Sequence, residues 1–429
     1  MTMKKRVPFI LCLLTWIILS MFFVQERTRV VPVKKLNGYT LDAPWPDFVA
    51  DDFYYGKFQE AYEKHLRYNF GFREVLIRVY NQYIWDCYHK IINSTIRASK
   101  DNWLFGGREL ENYYSSYMYN ITSDREVMKA QFDKEASRLY KVQNILEEYG
   151  VFVFVTMLPS KEFIYPEHLP EDKGGHKEPF HAFEYYSTVF DSFDVNYIDV
   201  MQIFKDWKGK VDFPLYPKTG AHWTYIASAH AFDTIIRYVE DKSGCNLLNY
   251  KIGEKEPRET LYPDADLEDL LNLIRPIKPN QNYYAETEII DDSTGIKPKA
   301  IFIGDSYFWN LTKSVKLNAI FSDFSYWYYN STVHYHPQYH HTSEMDILKE
   351  ILQVKIIDLT YSPVQLYVFS NGFLPKALLY LTHEDQEIDS VLNVVPKDSL
   401  FLEPEKYFPD LATDSIPTTR NSRCKDLIS

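Results

Sequence analysis

Three short runs constrain this chain more than anything else in it: "GVFVFVTML" (150–158), "KAIFIG" (299–304) and "VKIIDL" (354–359). Each is dominated by apolar, β-branched or aromatic residues without strict alternation, the pattern of a strand buried on both faces. A shorter run, "VNYIDV" (195–200), has the same character. Between these runs lie helical stretches at 126–148 and 222–240; in the second, Trp223, Ile226, Ala227, His230, Ala231, Ile235 and Val239 fall on one stripe. Strand–helix alternation predicts a parallel sheet covered by helices. In such sheets reacting groups collect at the carboxyl ends of the strands.

The N-terminus sets the compartment. An uncharged apolar run from Val7 to Val24 follows Lys4, Lys5 and Arg6. As a helix it spans about 27 Å, close to the thickness of a bilayer core. The basic residues keep the short end cytoplasmic and export the rest. A cleaved signal peptide is the rival reading, but "MFFVQERTRV" lacks an A-x-A-like site, which favours an uncleaved anchor. Beyond it, Pro and Gly break residues 27–48 into an extended linker, and 51–98 reads as helical.

Composition removes some functions. A formal net charge of −12 argues against nucleic acid, whose phosphates need basic partners. The 35 Tyr, 28 Phe and 8 Trp suit the stacking of sugar rings, and equally suit an ordinary aromatic core. Cys12, Cys87, Cys245 and Cys424 form no CxxC pair, so neither a zinc site nor a redox motif is expected. His334, His336, His340 and His341 have spacings that could hold a metal, but no acidic or cysteine ligand lies in the run, and none is predicted. Sequons occur at Asn93, Asn120, Asn310 and Asn330.

Two segments carry chemistry. "KAIFIG" runs straight into "DSYFWNL", placing Ser306 at a strand's carboxyl end, with a helix predicted to start there and offer its first N–H groups to an oxyanion. Phe308 stands where a nucleophile elbow would need glycine, so this is not the α/β-hydrolase motif. "YPKTGAHWTY" (216–225) places His222 at the start of another predicted helix, where the dipole disfavours imidazolium and leaves a neutral base.

In order along roughly residues 98–370, four blocks resemble a known family. "KDNWLFGG", "MLPSKEFIYPEHLP", "KTGAHWTYIAS" and "FIGDSY" are similar to the domain-opening, Pro-x-Lys, Asp-x-His-Trp and serine blocks of the SGNH-hydrolase-like domain of the AlgJ/AlgX type, exported alginate O-acetyltransferases and their relatives. The resemblance implies a three-layer SGNH-hydrolase-like α/β fold, a parallel sheet flanked by helices. It also implies a Ser-His-Asp triad that carries acetyl as a serine ester to a polysaccharide hydroxyl, without a cofactor. Ser306 matches the nucleophile and His222 the base. The family's aspartate falls on Gly220. For the missing orienting group a backbone carbonyl or a water comes first, and Asp199, Asp264 and Asp266 come next. Asp305 is expected to point elsewhere. Lys161, Tyr307 and Tyr328 are candidates for contacting the oxyanion or substrate, although "YWYYN" (326–330) also reads as a buried strand.

The expected division is a cytoplasmic end (1–6), a transmembrane anchor (7–24), a linker and helical lead-in (25–97), the SGNH-hydrolase-like domain (98–385) with an irregular insert at 246–298, and a C-terminal extension (386–429). The expected activity is O-acetyl transfer to an extracytoplasmic polysaccharide, with acetyl supplied by a membrane-bound acyltransferase. A carbohydrate acetyl esterase with the same Ser-His site, or a glycan-binding protein with a degenerate triad, are the alternatives.

Overall fold

Six strands build the central sheet: β1 (Phe152–Met157), β2 (Tyr197–Asp199), β3 (Lys299–Gly304), β4 (Asp323–Tyr328), β5 (Thr332–His334) and β6 (Ile356–Tyr361). This computed structural model describes residues 3–382 except 39, 40, 42, 100, 116–124, 171–181, 280, 291 and 292; the expected C-terminal extension, Cys424 and the sequon at Asn120 lie outside the described residues. The strand order is β5-β4-β3-β6-β1-β2. All neighbours are parallel except β4 and β5. The expected parallel sheet is present, with one antiparallel strand added at its edge. Only Tyr329, Asn330 and Ser331 separate the two strands, and a parallel return needs a crossover of a dozen or more residues. Tyr329 and Asn330 take φ of 48° and 50°, the left-handed backbone of a hairpin turn.

Both faces of the sheet are covered, which is why its strands lack alternation. Phe154, Asp358 and Phe302 are in register and share a face. Helix Tyr225–Ser243 packs there, Phe232 against Phe302 and Tyr238 against Phe154. Trp327 pairs with Ile303, one residue on and therefore on the opposite face, where Phe373 of helix Phe373–Thr382 meets it. Helix Arg125–Glu148 packs against Phe373–Thr382, Ala182–Phe193 and β1. The result is a three-layer α/β arrangement. The insert is more regular than expected: Tyr250–Ile252 pairs with Thr287–Ile289, and Glu256–Glu259 with Gln281–Tyr284.

This sheet and its helices belong to a unit formed by Asn93–Glu268 and the described residues from Pro276 on. A second unit comprises the described residues up to Ile92 and the short segment Asp269–Arg275. Its helices are Met3–Thr28, Ala50–Tyr54, Lys57–Asn69 and Arg73–Tyr88. Within it, Gln82 Oε1 accepts from the Ile274 and Arg275 N–H groups at 3.0 and 2.9 Å, and Asn81 Nδ2 donates to Leu271 O at 2.8 Å.

Candidate active site

β3 ends at Gly304, where the neighbouring strand leaves no room for a side chain: a Cβ there would strike the Thr360 carbonyl. The chain then turns. Asp305, 2% exposed, accepts from Tyr307 N–H at 3.1 Å and from Ser362 N–H at 2.8 Å, while the Tyr326 hydroxyl donates to the Asp305 carbonyl. Burial raises the Asp305 pKa against these hydrogen bonds. Asp305 thus pins the turn to the end of β6 and leaves half-buried Ser306 facing outward. The helix begins at Phe308 rather than at Ser306. The N–H groups of Tyr307, Phe308 and Trp309 are already taken by Asp305 Oδ1, Asp305 O and Ser306 O. Ser306 N–H has no acceptor among the described residues.

His222 arrives from the other side. It lies in a loop, three residues before helix Tyr225–Ser243, whose N-cap is Thr224. The expectation of a base seated on a helix terminus is therefore corrected. What holds the ring is packing and polar contact. Trp223, 1% exposed, donates from Nε1 to Tyr307 O at 3.1 Å, and the Tyr307 ring meets the imidazole edge-on at 4.8 Å. Ser306 Oγ donates to His222 Nε2 at 2.7 Å, and His222 Nδ1 donates to Asp266 Oδ2 at 2.5 Å. Burial pulls the His222 pKa down, but the charge and hydrogen bond of Asp266 prevail and the net shift is upward, not toward a more easily neutral ring.

Asp266 opens the short helix Asp266–Asp269 inside the insert, and its Oδ1 accepts from Ala221 N–H at 2.8 Å and Leu267 N–H at 2.7 Å. Neither a carbonyl nor a water orients His222; a carboxylate from the insert does. Gly220 explains why the acid is not two residues upstream. A Cβ at Gly220 would lie 2.5 Å from the Asp264 carbonyl oxygen and 2.9 Å from Pro217 Cγ. The insert's backbone occupies the room a side chain at 220 would need, and the same loop delivers Asp266.

The other candidates have different positions. Asp264, fully buried, accepts from Asn282 Nδ2 at 2.6 Å and Asn310 Nδ2 at 3.2 Å, and burial raises its pKa well above the carboxylate range. It props the loop from beneath. Asn310 also donates to Trp223 O at 2.8 Å, so the residue read as a sequon is a buried strut; Asn330 is buried too. Asp199 caps helix Val200–Trp207 through Gln202 N–H and does not meet His222. Tyr307 is the floor under His222, its hydroxyl 3.3 Å from that of Tyr216, rather than an outward-facing donor. Tyr328 is buried at the end of β4 against Trp309 and Tyr329. Of the loop histidines, His336 pairs with Glu350, His334 packs on Trp309 and His341 forms a capping box; among the described residues no group of three His, Cys, Asp or Glu side chains could hold a metal.

Lys161 is neither a surface lysine nor a substrate contact. It is 1% exposed and its ammonium donates to the carbonyls of Leu104, Lys218 and Gly220 at 2.8, 2.9 and 2.8 Å. Burial pulls its pKa down to about 7 against the nearby carboxylates of Glu162 and Asp266. It ties strand Leu104–Gly106 to the loop that carries His222. Lys161→Met withdraws the ammonium from all three carbonyls, of which that of Lys218 keeps the Leu104 N–H at 2.8 Å, and is expected to cost about 3 kcal/mol or more. The measurement is a thermal melt, in which a fall of roughly 6 °C or more is expected; an unchanged melt would refute the clamp.

The family described as "SGNH hydrolase-like domain, acetyltransferase AlgX" matches residues 96–310. Solved structures similar to this chain include the O-acetyltransferase domain of Pseudomonas putida AlgJ, at 14% identity and a TM-score of 0.44 over 68% of this chain and 99% of that one. Bacillus cereus PatB1 with a sulfonyl adduct is similar at 14% identity and a TM-score of 0.42, over 65% and 99%. Pseudomonas aeruginosa AlgX is similar at 14% identity and a TM-score of 0.37, over 62% and 55%. No curated protein matches the chain.

Proposed function

Since the chain belongs to the AlgX family of SGNH hydrolase-like acetyltransferase domains, we propose that it is a membrane-anchored, extracytoplasmic O-acetyltransferase that moves acetyl to polysaccharide hydroxyls through an acyl-serine. One observation carries this reading: Ser306, His222 and Asp266 form a continuous hydrogen-bonded line. A protein that merely binds glycan has no use for a serine whose hydroxyl donates to an imidazole oriented by a carboxylate.

The hydrogen-bonded line supports an acyl-serine route. The Ser306 proton passes to His222 Nε2 as Oγ attacks the acetyl carbonyl carbon. Asp266 holds the Nδ1 proton in place and offsets the charge of the imidazolium. The Ser306 N–H meets the negative carbonyl oxygen. The tetrahedral intermediate collapses, the donor oxygen leaves with the proton from His222, and acetyl remains on Ser306. A sugar hydroxyl then gives its proton to His222 and attacks the acyl-serine, and Ser306 departs with that proton. If water replaces the sugar, the same steps make an acetyl esterase. Helix Met3–Thr28 includes a segment, Pro8–Thr28, long and apolar enough to span a membrane. Tethered there, the enzyme would receive acetyl from a membrane-bound acyltransferase.

The test supplies the full chain with a small activated acetyl ester and oligosaccharide acceptors, then resolves O-acetylated sugar from free acetate. Acetylated sugar supports the transferase; acetate alone would assign the esterase, and inertness toward the ester would assign the binding protein. The same assay reads the base. Because the folded-state pKa of His222 is raised, the imidazole stays protonated to a higher pH than usual. Activity requires the neutral ring, so kcat/KM falls as pH drops, with its acid limb above the ordinary histidine value of about 6.5. In Asp266→Asn the largest raising influence is gone while burial remains, and the limb moves to lower pH.

A further inference from the structure

Helix Arg73–Tyr88 is amphipathic in an unusual sense, because its apolar side faces outward. Gln82 and Trp85 are buried, whereas Leu76, Val79, Tyr80 and Tyr83 are 42%, 49%, 54% and 53% exposed. Their spacing of i, i+3, i+4 and i+7 puts them on one stripe. Cys87 extends it by one turn and is also exposed. Along the neighbouring helix Lys57–Asn69 the exposed residues are mostly polar, among them Glu60, Glu63, Lys64 and Arg67, with Leu66 the one large apolar side chain at 36%. A continuous apolar stripe is therefore a feature of Arg73–Tyr88 and not of Lys57–Asn69. Phe48, Val49, Phe53, Tyr54 and Tyr55 add a second exposed aromatic cluster in the same unit.

The stripe starts beside the end of the apolar N-terminal helix. The turn joining Lys57–Asn69 to Arg73–Tyr88 contains Gly71, and any side chain there would strike the Phe22 carbonyl and the helix at Gln25 and Glu26. Phe70 and Phe72 flank it, each edge-on to Phe22 at 6.4 and 6.3 Å. Phe22 lies within the uncharged run that ends at Val24. His65 adds a tie, with Nε2 2.9 Å from Glu26 Oε1 and Nδ1 2.7 Å from the Ala43 carbonyl. The Arg27 guanidinium lies 3.8 Å from the Trp45 ring centroid. Helix Arg73–Tyr88 thus begins where the spanning segment would leave the hydrocarbon, in the zone where Tyr and Trp concentrate.

We propose that the outward stripe of Arg73–Tyr88 lies in the interfacial layer of the bilayer that the N-terminal helix crosses, making the lead-in a second, lateral membrane contact. The occupant is lipid, and the proposal rests on the reading of Pro8–Thr28 as a membrane span. An amphipathic helix held in this way sinks its apolar face about 5–10 Å into the headgroup boundary. Two contacts, unlike a single pivot, also restrict how the chain tilts over the surface.

The experiment uses the full chain with its native cysteines replaced by serine and one nitroxide label per protein, at Trp16→Cys, Leu76→Cys, Val79→Cys, Tyr83→Cys or Glu63→Cys. All five positions are exposed, so the fold is not at risk. The labelled chains are reconstituted alone in vesicles of phosphatidylethanolamine and phosphatidylglycerol. Relaxation by oxygen, which concentrates in lipid, is compared with relaxation by a water-soluble nickel chelate. Labels at 76, 79 and 83 are expected to favour oxygen by several-fold over the label at 63, and less strongly than the label at 16. Lipid exposure at 16 combined with nickel access at 76, 79 and 83 equal to that at 63 would overturn the proposal and return the stripe to a protein partner. Nickel access at 16 would remove the span itself, and the proposal with it.

Discussion

The Asp266→Asn variant is expected to fold and to lose about 10⁴-fold in kcat. Asparagine has the shape of aspartate, and its carbonyl can still accept from Ala221 and Leu267, the two N–H groups that Asp266 Oδ1 holds. The loss arises at the other atom. The carboxylate Oδ2 accepts the proton of His222 Nδ1. An amide nitrogen in that place is a donor, so the imidazole must turn its Nδ1 lone pair toward it and carry its proton on Nε2. A ring in that tautomer donates to Ser306 Oγ and cannot accept from it. Steady-state kinetics on a small acetyl ester, with a thermal melt as control, reads the effect. A loss below tenfold with the fold intact would mean that Asp266 does not orient the base, and a loss without the downward move of the acid limb would reduce it to a structural role.

Ser306→Ala is expected to remove the acyl-serine pathway, with a fall of roughly 10⁶-fold in kcat. The substitution deletes one oxygen from a half-buried position, and the turn around it is held by Asp305 and Tyr326 rather than by the serine side chain. Folding should therefore survive. Serine, histidine and acid act as a unit, so adding Asp266→Asn to Ser306→Ala should cost little more than Ser306→Ala alone. Full additivity of the two losses would show that they serve different steps.

How much of this was legible in the sequence varies with the kind of signal. The inner strands stood out because burial on both faces demands runs such as "VFVFV" and "IFI", and the structure places them in one sheet. β5 was not legible; a strand of three residues that follows a tight turn carries little pattern. Ser306 and His222 each had a local context, and the structure brings them within hydrogen-bond distance. The third group had none. Asp266 lies 44 residues beyond His222, beside an equally plausible Asp264 that faces the opposite way into Asn282 and Asn310. The one indirect clue was Gly220, a position without room for a side chain, whose crowding arises only in the folded chain. Lys161 shows the same limit, since no pattern distinguishes an ammonium buried on three carbonyls from one in water.

The central claim is that Ser306 carries the acetyl group. The full chain, incubated with an activated acetyl ester in the absence of sugar acceptor, quenched in acid and digested, can be examined by peptide mass spectrometry. The account predicts one acetyl ester on the peptide containing Ser306, lost on adding an oligosaccharide acceptor and absent from Ser306→Ala. Turnover of the donor with that peptide unmodified, or an acetyl ester on the same peptide that persists in Ser306→Ala, would contradict it.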